Sequence, residues 1–273
     1  MATQSSESTL YPKITNHIKE IIKTLKYKVL DPEHPEDETN LPPIPIIGTV
    51  KLHGTHADIL IYNDNTIILQ SRNNATLIET ADNQGFAKAM STKQPTILKL
   101  RDQFVTRWKT VNPGTPLDAS LPITIAGEWI GEKIQKGVAI SSLSKRLVII
   151  SAKINGAWIA DSEYADIEAP EEDIYNISRA GTYHSILYPE NPEKTISELE
   201  PLAEKVAARC PFAESFGVVG EGEGLVWKLV PYIHDTDLWF KTKGGRFKPT
   251  FTPAPKKPAA GAEEKAGSCC DGW

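Results

Sequence analysis

Between residues 45 and 71 the chain runs apolar for a few residues, turns, and runs apolar again. The runs are 45–52, 57–62 and 66–71, with N-D-N at 63–65 between the last two. Segments this short, bounded by turn residues, read as strands, and the last two read as a hairpin. The pattern returns at 121–130, 146–152, 157–161 (after the Asn155-Gly156 turn), 215–219, 224–230 and 237–243. Helical spacing is confined to three places. Ile14, Ile18, Ile21, Ile22 and Leu25 predict a helix over 14–27, and Ile97, Leu100, Phe104, Val105 and Trp108 predict one over 96–109. A third is expected at 196–208. Many short strands with a few interspersed helices predict an α+β fold built on antiparallel sheets flanked by helices.

Three segments follow from composition. Residues 1–44 form an N-terminal helix and an acidic, Pro-rich linker, with D-P-E-H-P-E-D-E at 31–38 and L-P-P-I-P at 41–45. Residues 45–248 form the folded domain, and residues 249–273, rich in Pro, Ala, Gly and Lys, form a disordered tail. No apolar run approaches the ~20 residues a bilayer requires, and the N-terminus lacks the features of a signal peptide. Three cysteines make no disulfide framework and none has zinc-ligand spacing, so a reducing compartment, cytosol or nucleus, is expected. The net charge of −5 argues against a protein that coats nucleic acid. Residues 241–257 nevertheless hold Lys241, Lys243, Arg246, Lys248, Lys256 and Lys257 with no acid among them, a stripe able to hold phosphates.

Lys51 interrupts a strand-like run, in T-V-K-L-H-G-T at 49–55. Alone it reads as a surface lysine whose stem lies along apolar surface. It is not alone. Ser71-Arg72 ends the hairpin, A-G-E-W-I-G lies at 126–131, G-E-G-E-G-L-V-W-K at 220–228 and L-W-F-K-T-K-G-G at 238–245. These supply several cations and the carboxylates Glu128 and Glu223. A lysine amine can attack the α-phosphate of a nucleotide and hold the nucleotidyl group covalently. Lys241 and Lys243 alternate on a strand, so both side chains point one way and can neutralise that phosphate. One carboxylate would hold Mg²⁺ and another would accept hydrogen bonds from a ribose. Gly54 lets the backbone pass close to a nucleotide.

The order K-x-H-G-T, S-R, G-E-x-x-G-x-x-I-Q, E-G-x-V-x-K and K-x-K, spread over residues 45–245, resembles the covalent nucleotidyltransferase superfamily of polynucleotide ligases and capping enzymes. His53 stands where most members have Asp, which looks most like the RNA ligase 2 branch. The resemblance implies a nucleotidyltransferase (ATP-grasp-like ligase adenylation) domain, and as a departure from the family's pattern no OB domain is expected after it. It also implies an ATP-dependent RNA ligase that joins 5′-phosphate and 3′-hydroxyl RNA ends with Mg²⁺ or Mn²⁺, through lysyl-AMP and adenylated RNA. Lys51 is the implied nucleophile, and Lys241 and Lys243 grip the α-phosphate. Arg72 and Glu128 bind the ribose and Glu223 the metal. His53 and Gly54 stand beside the nucleotide. The frame E-G-L-V-W-K selects Glu223 over Glu221, and Lys228 stands either at the far end of the site or in solvent. The family's base-stacking aromatic is missing from 146–152, which leaves an aliphatic face, Trp129 or Trp158 to pack on the base. A monomer is expected, in which either the N-terminal 45 residues or an accessory or nucleic-acid-binding partner takes the place of the absent OB domain. A DNA nick ligase, a GTP-using capping-type enzyme and a non-ligating nucleotide or RNA-end-binding module are the alternatives.

Overall fold

A computed structural model describes residues 11–29 and 40–249. The acidic stretch at 31–38 and the expected tail beyond residue 249 lie outside the described residues. Helix α1 (Ile18–Val29) precedes strands β1 (Ile44–Lys51), β2 (Thr55–Ile61) and β3 (Ile67–Ser71). Helices α2 (Phe86–Ser91) and α3 (Gln94–Val111) lead to β4 (Ile123–Ile130), β5 (Arg146–Ile154), β6 (Ala157–Trp158), β7 (Ile174–Asn176) and β8 (Thr182–Leu187). Helices α4 (Pro192–Ala208) and α5 (Pro211–Glu214) then precede β9 (Gly224–Leu229) and β10 (Phe240–Lys243).

The strands form two sheets, β10-β9-β1-β8 and β3-β2-β4-β5-β6, antiparallel except for β7, which pairs parallel to β5. This is a mixed helix and antiparallel-sheet architecture. Strand β1 shows why the first sheet has one dry face. Ile44, Ile46, Gly48 and Val50 are buried, while Pro45, Ile47, Thr49 and Lys51 alternate onto the other face. The buried set packs with Ile21 and Leu25 of α1, Leu199 and Val206 of α4, and Trp227 of β9. Each such side chain, fully buried, contributes about 2 kcal/mol. The second sheet packs on Ile97, Leu100, Phe104 and Trp108 of α3, four residues at helical spacing that share one core with Ile59, Ile125 and Ile149. Among the described residues no helix is long and apolar enough to cross a membrane.

The departures from the sequence reading have local causes. Residues 215–219 are not a strand. They follow the short helix α5, and Phe212 and Phe216 pack together in a turn closed by Gly217 at φ +76°. Helix α4 starts at Pro192 because the Asn191 side chain accepts from the Lys194 N–H and proline suits a first turn. Helix α1 starts four residues later than Ile14. The chain ahead of it lies beside β10, where Thr15 bridges Phe240 and the Lys241 N–H donates to the Thr15 carbonyl at 2.8 Å. Strand β8 went unpredicted because its T-Y-H-S-I-L sequence lacks a clean apolar alternation.

Candidate active site

The chain leaves the first sheet at Lys51, turns through Leu52–Gly54 and enters the second sheet at Thr55. Lys51 therefore stands where the two sheets meet. Across the first sheet Lys51 lies opposite Gly224, and Gly224 lies opposite Lys243. The three form one row across β1, β9 and β10. Gly224 has φ +156°, and a Cβ there would run into the Thr242 carbonyl, so only glycine holds the two lysine-bearing strands in this pairing.

Glu223, one residue earlier, collects the charges. Its carboxylate accepts from Lys51 Nζ at 2.8 Å and Lys243 Nζ at 2.6 Å, and His53 Nδ1 lies 3.3 Å away. Only 2% of the Glu223 side chain is exposed. Burial pushes its carboxyl up, but the His53 hydrogen bond, the Lys51 charge and the bonds from Lys243 and Lys51 outweigh that, leaving it at about 2.

Glu128 is placed by an irregularity. The β4–β5 register shifts between Ala126 and Gly127, a bulge that re-aims the next side chain. Its carboxylate accepts the Gly54 N–H at 2.9 Å and so ties β4 to the turn after Lys51. Burial raises the Glu128 carboxyl, opposed by the Lys51 and His56 charges and by that hydrogen bond. A Cβ on Gly54 would meet the Trp129 carbonyl at 2.5 Å and Glu128 Cγ at 2.9 Å. Lys241, opposite Val226, has no ion pair among the described residues. Burial first, then the Lys51 and Lys243 charges, pull its ammonium below the ordinary value.

A cavity of about 230 Å³ opens beside these groups. Among the described residues its lining includes five cationic side chains (Lys13, Lys51, Arg72, Lys228 and Lys241) and one carboxylate, Glu128. Tyr11, Ile14, Ile150 and Val226 supply apolar walls. Lys228 is already neutralised. It is 3% exposed, donates to Asp161 at 2.5 Å and Ser151 at 3.2 Å, and lies 3.7 Å from the Trp239 ring centroid. The structure thus brings Lys51, His53, Glu223 and Lys243 into contact and lines the adjacent cavity with Arg72, Glu128, Lys228 and Lys241. Trp129 is not in that lining. It packs on Phe86 and donates to the Gln84 carbonyl. Ile150 presents the aliphatic face of β5, and Trp158 stands behind Tyr11. Tyr11 and Asp161 were not among the sequence candidates, and no local pattern around either points to this site.

Two antiparallel sheets thus meet at Lys51, with Glu223, Glu128 and further lysines at the junction. No protein-family model and no curated protein matches the chain. Solved structures do. The chain is similar to a Naegleria gruberi RNA ligase with PPi, at a TM-score of 0.51 and 15% identity over 89% of this chain and 60% of that one. It is also similar to a variant of the Naegleria gruberi RNA ligase with AMP and Mn (TM-score 0.49, 15% identity, 86% of this chain and 55% of that one). An archaeal ATP-dependent RNA ligase matches at a TM-score of 0.41 and 14% identity, over 86% of this chain and 48% of that one. The chain spans less than two thirds of the length of each. The fold is the nucleotidyltransferase fold found in RNA ligases.

Proposed function

We propose that the protein is an ATP-dependent RNA ligase that works through a covalent lysyl-AMP. The observation that carries this reading is the row Lys51, Gly224, Lys243 closed by Glu223, beside a cavity whose described lining brings Lys13, Lys51, Arg72 and Lys241 together with one carboxylate, Glu128. Such a lining suits a polyanion with an apolar end, as a nucleoside triphosphate is. As a free base, Lys51 Nζ attacks the α-phosphorus of ATP. A nitrogen–phosphorus bond forms, the bond to the β-phosphate oxygen breaks, and pyrophosphate leaves. Lys241 and Lys243 stabilise the charge that builds on the α-phosphate oxygens. The AMP then passes to an RNA 5′-phosphate, freeing Lys51, and a 3′-hydroxyl displaces AMP to seal the strand. RNA as the nucleic acid rests on the likeness to RNA ligases, one of them solved with PPi.

Among the described residues no group of three or more His, Cys, Asp or Glu side chains could hold a metal ion by itself. Glu223 fits the other mode, in which Mg²⁺ or Mn²⁺ takes one protein carboxylate and shares the phosphates of the nucleotide. Such an ion would screen phosphate charge and loosen the hold of Glu223 on the lysines. Arg72 and Glu128 would hold the ribose, with His53 and Gly54 beside the nucleotide.

The test is the intact mass of the purified protein before and after ATP and Mg²⁺, alongside Lys51→Ala. A gain of one AMP in the wild type only, released on addition of 5′-phosphorylated RNA, is expected. A Lys51→Ala protein that still seals RNA would refute the reading. Labelling by GTP in place of ATP would move it to the capping-type enzymes, and transfer to nicked DNA alone to the DNA ligases.

A further inference from the structure

The cavity beside Lys51 has a wall that comes from outside the two sheets. Tyr11, Pro12, Lys13 and Ile14 all line it. This strap is anchored at its far end by the Lys241 N–H bond to Thr15 and the bridge between Thr15 and Phe240. It is anchored at its near end by Tyr11, which is 9% exposed. The Tyr11 ring centroid lies 5.2 Å from His56, 5.4 Å from Trp158 and 5.8 Å from Trp239. Ile14 and Ile150 pack on the same cluster. The cavity lining thus offers two chemical kinds of surface, the cations Lys51, Lys241 and Arg72 and the apolar surface of Tyr11, Ile14, Ile150 and Val226. The strand β5 itself offers only aliphatic side chains there.

We infer that Tyr11 is a base-contacting residue, and that the strap Tyr11–Thr15 is a built-in wall of the nucleotide site that sets its affinity for the nucleobase. This rests on the nucleotide-binding reading above and names the group that replaces a stacking aromatic on β5. The aromatic cluster behind Tyr11 holds the ring in place before a ligand arrives, so little ordering is needed on binding. Because the same strap bonds to the backbone of Lys241, base binding and phosphate binding share one strand.

The inference separates base from phosphate. Pyrophosphate probes the cationic side chains only, whereas ATP also offers a base to the apolar ones. Full-length wild type, Tyr11→Ala and Tyr11→Phe are titrated calorimetrically with ATP and with pyrophosphate, each with Mg²⁺. Loss of one base–aromatic contact predicts an ATP Kd weakened by about tenfold or more in Tyr11→Ala. The pyrophosphate Kd should stay within about twofold of wild type, and Tyr11→Phe should bind ATP within about threefold, since the ring is retained. Tyr11→Leu, which keeps apolar volume in the cluster, serves if Tyr11→Ala does not fold, with the same expected split. ATP binding unchanged in the alanine or leucine variant overturns the inference. Equal weakening of ATP and pyrophosphate also overturns it, because Tyr11 would then be a packing residue. A wild type that binds pyrophosphate and ATP equally overturns the base slot alone. A wild type that binds neither overturns the functional reading as well.

Discussion

Glu223→Gln tests the centre of the site without removing any volume. In the folded protein the carboxylate faces two ammonium groups, at 2.8 and 2.6 Å, and His53, at 3.3 Å. Glutamine keeps the shape but loses the charge and turns an N–H₂ toward a lysine. The Glu223 carboxyl lies at about 2 against an ordinary value of 4.5, so its ionised form stabilises the fold by about 3 kcal/mol at neutral pH. The sign follows from the direction of the shift. A depressed carboxyl stabilises above its unfolded value near 4.5, and that contribution is lost as pH falls toward 2. At pH 3 only about 1 kcal/mol of it remains. Lys51 and Lys243 are 23% and 24% exposed and partly rehydrate when their partner is lost, so the cost stays at the low end for a broken buried pair. Urea unfolding of wild type and Glu223→Gln at pH 7 and pH 3 reads this directly. The variant should be less stable by about 3 kcal/mol at pH 7, with the gap shrinking to about 1 at pH 3. A gap that is absent at pH 7, or unchanged at pH 3, would show that the convergence of charges on Glu223 is not what holds this corner.

Four further outcomes are expected. Lys243→Ala should fold and yet form no AMP adduct by intact mass; adduct formation at the wild-type rate would remove Lys243 from the phosphate site. Asp161→Asn leaves Lys228 buried beside Ser151 and Trp239 without an anion, and should cost about 3 kcal/mol or more in urea unfolding. The double variant Lys228→Met with Asp161→Asn should recover most of that loss, since no buried charge is then left unpaired. Gly54→Ala would place a methyl against the Trp129 carbonyl and Glu128, so nucleotide binding by calorimetry should weaken at least about tenfold, and an unchanged Kd would mean the turn relaxes freely.

Much of the secondary structure was legible because it is written in local spacing. The alternation of 45–52 and the N-D-N turn at 63–65 predict β1 and the β2–β3 hairpin, and the observed pairing of Asp58 with Gln70 and Ile61 with Ile67 is that hairpin. The apolar stripe of α3 was equally plain. The 215–219 run failed because two phenylalanines four residues apart serve a helical turn as readily as a strand. Of the site residues, Lys51, Glu223, Lys241 and Lys243 stood out because each sets a charge within or beside an apolar strand pattern, where a solvated charge is not the default.

Their meeting was not written there. Lys51 and Lys243 share a row only because β9 pairs with both β1 and β10 in a register that puts Gly224 between them. A register is chosen by the burial of whole strand faces, and a slip of one residue in β1 or in β10 would turn that strand's lysine toward the core. The same holds for Lys228, whose partner Asp161 opens a 3-10 turn after β6 of the other sheet, and for Tyr11, which lines the cavity from a segment ahead of α1. Spacing along a chain reports which way neighbouring side chains point, a property of a few adjacent dihedrals. Which distant side chains they then face depends on how two sheets and their helices close over a shared core, and that sum runs over the entire fold.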